Sequence, residues 1–575
     1  MNKVSSFLIL TLLIASGILF YGDFFVDDAY ITLRYARNTV NGYGLSFNPT
    51  DTIPIEGYTN FGWLLLQLPL LLFTTSPEII LGILSVFTLL LTSYILNNLT
   101  FKDWHISPAV FLMMSFHSFW FWNTSGLETG MMGALILLWN IIFYRQYIKK
   151  APTNENANTA NTLLATTSFA CPAIAFFSLL TRPDCLIILF WQWSFLLAKK
   201  NYSALKAFSI RFTALVIPYA LFKLIYFGKL LPNTFYAKAN LKGSVLHRGS
   251  LYLMKLLTIP EIIILIIGIV VSIYLVLINR KDDLSSGNEH RSCESDSKHR
   301  SCESDSEHKS SKSDNEHKPC STGFQINNKD LLSFWIFTLL ILGSYLLYIV
   351  KVGGDYLPFY RFLYPVIPWC IYMCSHSLLK ATMSKQKLIV FCLMPVLFLT
   401  TSFDCFHEAA AFWTDQKVLI SASKQLAKLV KPNTKTVTLA SGIINYYCDF
   451  NATDFYGLTD PGILRKNTKH NGNKTFQISS IAGHDNYDLD FVKTLNPEII
   501  IPHFWYPIIN RKVIVNPCYK PDNSGQYYFT GLKELVEAPF ISKDYVKKRL
   551  LINSGSLNLA YIYYVRKKKR TIKDK

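Results

Sequence analysis

Charge is scarce in this chain: Asp, Glu, Lys and Arg fill 17% of its 575 positions, against 50% hydrophobic residues and 15% aromatic ones. That balance excludes a soluble globular protein of this length and fits a polytopic membrane protein. Nucleotide loops are missing as well. The glycines of "VNGYGLS" and "KVGGD" supply neither G-x-x-x-x-G-K-[ST] nor a G-x-G-x-x-G between a strand and a helix, so they read as turn glycines. The apolar runs show no internal repeat.

What is present begins with an uncharged run between Lys3 and Asp23, long enough to cross a bilayer as a helix. No clean A-x-A site follows it, so it reads as an uncleaved first span, with a cleaved signal peptide as the competing reading. Further apolar runs with few charges suggest spans near 78–97, 108–122, 127–145, 163–180, 184–198, 208–227, 255–278, 331–350, 362–380 and 386–402. The expectation is about eleven transmembrane helices within residues 1–403. The run 62–75, "GWLLLQLPLLLFTT", would invert every later loop if counted, and is expected as an interfacial or re-entrant helix.

Lys102, then Arg145, Lys149 and Lys150, then Lys199, Lys200 and Lys206, then Lys380, Lys385 and Lys387 fall on one side of these spans. By the positive-inside rule that side is the cytoplasm. Much of the formal charge of +19 sits there and in the terminal "VRKKKR", where it anchors the protein and gives no case for nucleic acid.

Residues 280–329 turn abruptly polar, and "HRSCESDSK", "HRSCESDSE" and "HKSSKSDNE" follow one another with a period of nine. Such composition cannot bury enough apolar area to offset its ordering entropy, so a disordered cytoplasmic linker is expected. The repeats lack C-x-x-C spacing, which argues against a metal site.

After residue 403 the apolar runs stop. In 404–575, "TKTVTLASGI", "NPEIIIP" and "LAYIYYVRKK" read as strands and "TDQKVLISASKQLAKLVK" as a helix, giving a soluble α/β domain outside the cytoplasm. Its three cysteines, Cys405, Cys448 and Cys518, cannot all pair, so no disulfide is assigned.

The loops on the outer face hold nearly all the odd motifs: "DDAYITLRYARN", "IEGYTNFGW", "SGLETG", "TRPD", "LPNTFYAKAN" and "VGGDYLPFYRF". Ionisable groups at a membrane are costly, so a set gathered on one side marks a functional site, although Asp184 and Arg182 are also placed to satisfy one another.

Taken in order, "DDAYITLRYARNTVNGYGLSFNP", "IEGYTNFGW", "GLET", "TRPD", "LPNTFYAK" and "GGDYLPFYRFLYPVIP" resemble the lipid-linked-sugar glycosyltransferases of the C superfamily. Within it the chain resembles the mycobacterial terminal arabinofuranosyltransferases and their bacterial homologues. The resemblance spans residues 5 to about 405 and reaches weakly into the last domain through "YGLTDPGI" and "IAGHD". It implies a C-type glycosyltransferase fold in a bacterial cytoplasmic membrane, with the site and the C-terminal domain outside. It also implies a polyprenyl-phosphate sugar donor, a glycan or glycolipid acceptor, and inverting transfer with a carboxylate base.

An aspartate just above the bilayer suits that chemistry, because a sugar hydroxyl is a poor nucleophile until its proton is taken. The base is Asp27 or Asp28. As a strand the segment would point them oppositely and as a helix about 100° apart, so only one faces the sugar. The departing phosphate needs a cation near the head-group level, and the candidates are Arg361, Lys238, Arg34 and Arg182, the first two preferred. Glu56, Tyr58, Glu128, Asp184, Asn233 and Asp355 are expected as sugar or acceptor ligands or their supports. No protein metal site is assigned; a divalent cation on Asp27, Asp28 and Asp355 stays open, though a single-phosphate donor makes it less necessary. A polyprenyl-diphosphate-dependent glycan ligase and a non-enzymatic transporter of lipid-linked sugar are the alternatives. A transporter would place its ionisable groups at mid-membrane within inverted repeats.

Overall fold

The computed structural model describes residues 25–100, 107–148, 169–238, 243–296, 328–355, 357–381, 412–460, 487–509, 512–513, 532–554 and 557–567, with six positions inside 11–18. Most of the first apolar run, all of 386–402 and residues 297–327 of the polar linker lie outside them, as do Cys405, Cys518 and "IAGHD".

The chain is mostly helical, with a small sheet near its C-terminus. Among the described residues five helices are long and apolar enough to cross a membrane: Pro77–Asn97, Thr129–Ile148, Tyr202–Phe227, Pro260–Ile278 and Asp330–Val352. The helix Thr129–Phe143 is apolar on all sides and buried almost throughout, as expected for the central element of a bundle. It packs against the helices Pro77–Thr100, Ala170–Thr181 and Ile367–Ala381.

Three expected elements differ. The run 108–122 is two short helices, Pro108–Met114 and His117–Thr124. The break at Ser115 and Phe116 is tolerated because side chains take up the freed backbone groups: Trp120 Nε1 donates to Met114 O (2.8 Å), and His117 N donates to Glu261 Oε1 (2.6 Å). The run 184–198 opens as a 3-10 turn, Pro183–Cys185, before the helix Leu186–Ala198. The helix from Pro260 continues to Asp296, so the opening third of the linker expected to be disordered is helical instead. Extending a formed helix needs no new nucleus, which offsets the poor composition.

The segment 62–75 contains the helix Phe61–Leu71, too short to span a bilayer, with Gly62, Trp63, Leu64, Gln67 and Leu71 buried. It packs on the helix Asp27–Val40. That helix begins where Val26 is extended; two acids occupy its first turn and Arg37 its last, the arrangement the helix dipole favours.

The C-terminal sheet contains β1 (Lys435–Thr438), β2 (Asn451–Asp454), β3 (Ile499–Ile509), β4 (Lys512–Val513), β5 (Tyr545–Ser554) and β6 (Leu557–Arg566) in the order β2-β1-β3-β6-β5, with β4 on β3. β1 runs parallel to β2 and β3, while β6 is antiparallel to β3 and β5. β1, β3 and β6 are the strands expected from sequence, and a helix covers 412–426. Cys448 is a buried free thiol that donates to Ser423 O.

Candidate functional site

The opening "DD" lies on a helix, so its carboxylates diverge and meet different neighbours. Asp27 accepts the backbone N–H groups of Gly442 (3.0 Å) and Ile443 (2.6 Å), and its own N–H donates to Gln416 Oε1 (2.9 Å). A Cβ on Gly442 would lie 1.7 Å from Asp27 O, so only glycine permits this approach. Burial pushes the Asp27 carboxyl up from 3.8 to about 6; the Ile443 amide opposes this, Asp28 adds to it, and His503 and the Gly442 amide oppose it.

Asp28 is open where Asp27 is occupied. A third of its side chain (33%) is exposed, and Oδ2 lies 3.4 Å from Arg361 Nη1. Arg361 is held from its other side: Nη2 donates to Asp355 Oδ1 (3.1 Å), and Nε lies 2.8 Å from Asp355 Oδ2. The guanidinium also stands 5.1 Å from the centre of the Phe362 ring. The backbone leading to it is unusual, since Phe359 (φ 55°) and Tyr360 (φ 46°) are both left-handed without being glycine. Each such residue costs on the order of 1–3 kcal/mol and persists only when its surroundings enforce it.

Arg182 approaches the same Phe362 ring, 5.4 Å from its centre. It is buried between Glu128 (Nη1 to Oε1, 3.0 Å) and Asp184 (Nε to Oδ1, 2.9 Å). Glu128 Oε2 accepts from Asn60 Nδ2 (2.8 Å), and Asn60 Oδ1 accepts from the Thr32 hydroxyl (3.0 Å), on the helix that carries Asp28. Arg361, Phe362 and Arg182 thus join two acid–guanidinium groups, one closed and one opening on Asp28.

Glu56 forms a third group. It pairs with Lys223 Nζ at 2.7 Å, both side chains buried, and its carbonyl accepts from Asn233 N at 2.9 Å. Asn233 Nδ2 reaches on to the carbonyls of Gly457 (2.7 Å) and Leu458 (3.0 Å) in the "YGLTD" stretch. Tyr58 is buried, edge-on to Tyr35 at 4.8 Å.

Arg34 is engaged elsewhere. Its guanidinium donates to the carbonyls of Phe47 (2.7 Å), Asn445 and Phe450 and to Asn48 Oδ1 (3.2 Å), at 1% exposure. Burial lowers it from 12.5 to about 10. With these acceptors it ties the helix Asp27–Val40 to the C-terminal domain, as does Arg37 with Asp449, and Asn48 in the loop after the helix adds a bond from Ala452 N. Lys238 ends the short helix Asn233–Lys238, and its side chain lies outside the described positions.

Of the residues expected from sequence, the structure brings Asp28, Asp355 and Arg361 into direct contact and sets Glu128, Arg182 and Asp184 beside them. Asp27 and Arg34 are spent on the domain seam, and Glu56 and Asn233 stand with Lys223. Sequence reasoning missed Lys223, Asn60, Phe362 and Glu261. Two signals were present: a cation, Lys223, in the otherwise apolar second half of the helix Tyr202–Phe227, and an acid at the head of the run "PEIIILII". Among the described residues no group of three or more His, Cys, Asp or Glu is placed to hold a metal ion.

No family model, no curated protein and no solved structure matches this chain.

Proposed function

We propose that the chain is a membrane glycosyltransferase of the C type, with about eleven spans, transferring one sugar from a polyprenyl-phosphate donor to a cell-envelope glycan or glycolipid on the outer face of a bacterial cytoplasmic membrane. The observation that carries the reading is the pair Asp28 and Arg361: a partly exposed carboxylate 3.4 Å from a buried guanidinium, on two motifs the resemblance already joins.

In this reading Asp28 is the base. Asp27 already accepts two amide N–H groups, so it lacks a free oxygen turned to substrate. The acceptor hydroxyl gives its proton to Asp28 as its oxygen bonds to the anomeric carbon. The anomeric carbon–oxygen bond breaks on the opposite face, and its electron pair leaves with the polyprenyl phosphate. Arg361 is the cation for that phosphate. Its two contacts with Asp355 fix the guanidinium, while the longer contact with Asp28 is the one an incoming phosphate displaces. Arg182 sits behind Phe362, neutralised by Glu128 and Asp184, and orients the pocket wall. Arabinofuranose, as in the resembling enzymes, is the first sugar to try.

The test is transfer by purified protein in lipid nanodiscs, given radiolabelled polyprenyl-phosphate sugars and an envelope glycan acceptor. Label appearing in the glycan with release of polyprenyl phosphate supports the reading. Lipid movement across a bilayer without bond cleavage overturns it in favour of a transporter.

A further inference from the structure

The left-handed pair Phe359 and Tyr360 aims Arg361 into the site, and such a backbone needs something to hold it. Two holds are visible. Trp122 Nε1 donates to Phe359 O at 2.6 Å, and the Tyr360 hydroxyl donates to Glu261 Oε2 while lying 2.9 Å from the Ser118 hydroxyl. The other Glu261 oxygen accepts from His117 N (2.6 Å), where the expected span breaks into two helices. Glu261 is 2% exposed, and Tyr360, Ser118 and His117 are buried with it. A carboxylate so deeply buried is expensive, and its partners here are the one hydroxyl adjoining Arg361 in sequence, together with Ser118 and with His117 at the helix break.

We infer that Glu261 is a positioning residue for Arg361: by holding the Tyr360 hydroxyl it keeps the left-handed turn in place and the guanidinium aimed at the donor phosphate. The inference rests on Arg361 binding that phosphate. Glu261 touches neither donor nor acceptor; its effect passes through Tyr360 to one cation. A loss of aim at one cation weakens recognition of charge specifically, whereas a general loss of packing weakens recognition of the lipid as a whole.

The measurement is the affinity of the full-length protein, in nanodiscs, for a short-chain polyprenyl monophosphate and for the uncharged polyprenol of equal length. Tyr360→Phe and Glu261→Gln are expected to lose about tenfold in affinity for the monophosphate and less than twofold for the alcohol. In an Arg361→Ala background neither change should cost anything further, because the cation they position is gone. Equal losses for both lipids, or a full further loss in the Arg361→Ala background, overturn the positioning role. If Arg361→Ala itself leaves preference for the phosphate unchanged, it is the assignment of Arg361 that falls. Should Tyr360→Phe fail to insert, Ser118→Ala, which removes the neighbouring hydroxyl, and Glu261→Gln carry the same comparison; no loss of phosphate preference in either overturns the inference.

Discussion

Asp27 Oδ1 accepts a 2.6 Å hydrogen bond from the backbone N–H of Ile443, 416 residues further along the chain. Asp28, the next residue, faces Arg361 instead. Removing the two charges therefore has different effects. Asp28→Asn is expected to lose at least about a hundredfold in kcat with donor affinity nearly kept, the signature of a missing base. Asp27→Asn should keep most of its turnover per folded molecule and lose about 1–3 kcal/mol of stability, because its amide offers a weaker acceptor to two buried N–H groups. Steady-state kinetics beside thermal melts separate the two, and an Asp28→Asn enzyme of near-normal rate would pass the base role to Asp355 or Glu56.

The seam should respond to pH in a direction fixed by its acids. Asp27 is raised to about 6 by burial, and so is Asp454, buried in β2. His503 is raised too: burial opposes it, but its contact with Asp415 and the nearby charge of Asp27 prevail. A folded pKa above the unfolded one means stability present below the unfolded value and lost as pH rises through the folded value. Wild-type Tm should thus fall between about pH 4 and pH 6, relative to the Asp27→Asn and Asp454→Asn variants, which lack these titrations. A wild-type protein that gains stability over that window against both variants contradicts the assignment.

Arginine at 361 is expected to be irreplaceable by lysine. An ammonium keeps the charge but cannot hold Asp355 along one edge while presenting Nη1 to a phosphate. Arg361→Lys should lose at least about tenfold in donor affinity, and Arg361→Ala should lose that and turnover as well, since truncating a buried charge pair costs about 2–5 kcal/mol. Donor titrations read both.

Glu56 and Lys223 form a pair whose structural and chemical parts can be separated. Lys223→Met strands a buried carboxylate and should cost about 3–5 kcal/mol. Adding Glu56→Gln should restore most of that. If Glu56 also holds a sugar hydroxyl, the double variant folds and still transfers poorly; recovery of both melting temperature and transfer would make the pair purely structural.

The proposed orientation rests on the basic loops and is testable at exposed sites. On a cysteine-free background, a cysteine at Lys493, in the sheet domain, should react with an impermeant reagent in intact cells. One at Lys199 should not. The reverse pattern would turn the site toward the cytoplasm and remove the lipid-phosphate donor.

Membrane character and three of the strands were legible because both rest on local apolar runs. β2, "NATD", carries no such run, and β5 shows its neighbours Lys547, Lys548 and Arg549 on an exposed edge, so neither announced itself. The break within 108–122 was illegible because it depends on Glu261, more than a hundred residues away. Of the acids and cations that the loop motifs put on one list, Asp28, Asp355 and Arg361 do meet. Which of Asp27 and Asp28 stays open was not legible, because the answer lies in the amides of Gly442 and Ile443. Arg34 resembled a phosphate ligand for the same reason: its acceptors are carbonyls, which any sequence possesses.

Arg34 also ties the order of synthesis to the quality of the product. The ribosome delivers this guanidinium first and its acceptors at Asn445 and Phe450 some four hundred residues later. Throughout translation the helix that carries the acids must wait with a charge it cannot bury. A transcript truncated shortly before residue 445 yields a chain that has its apolar helices but lacks these acceptors, so the helix Asp27–Val40 has no place to dock and the product is a substrate for surveillance proteases.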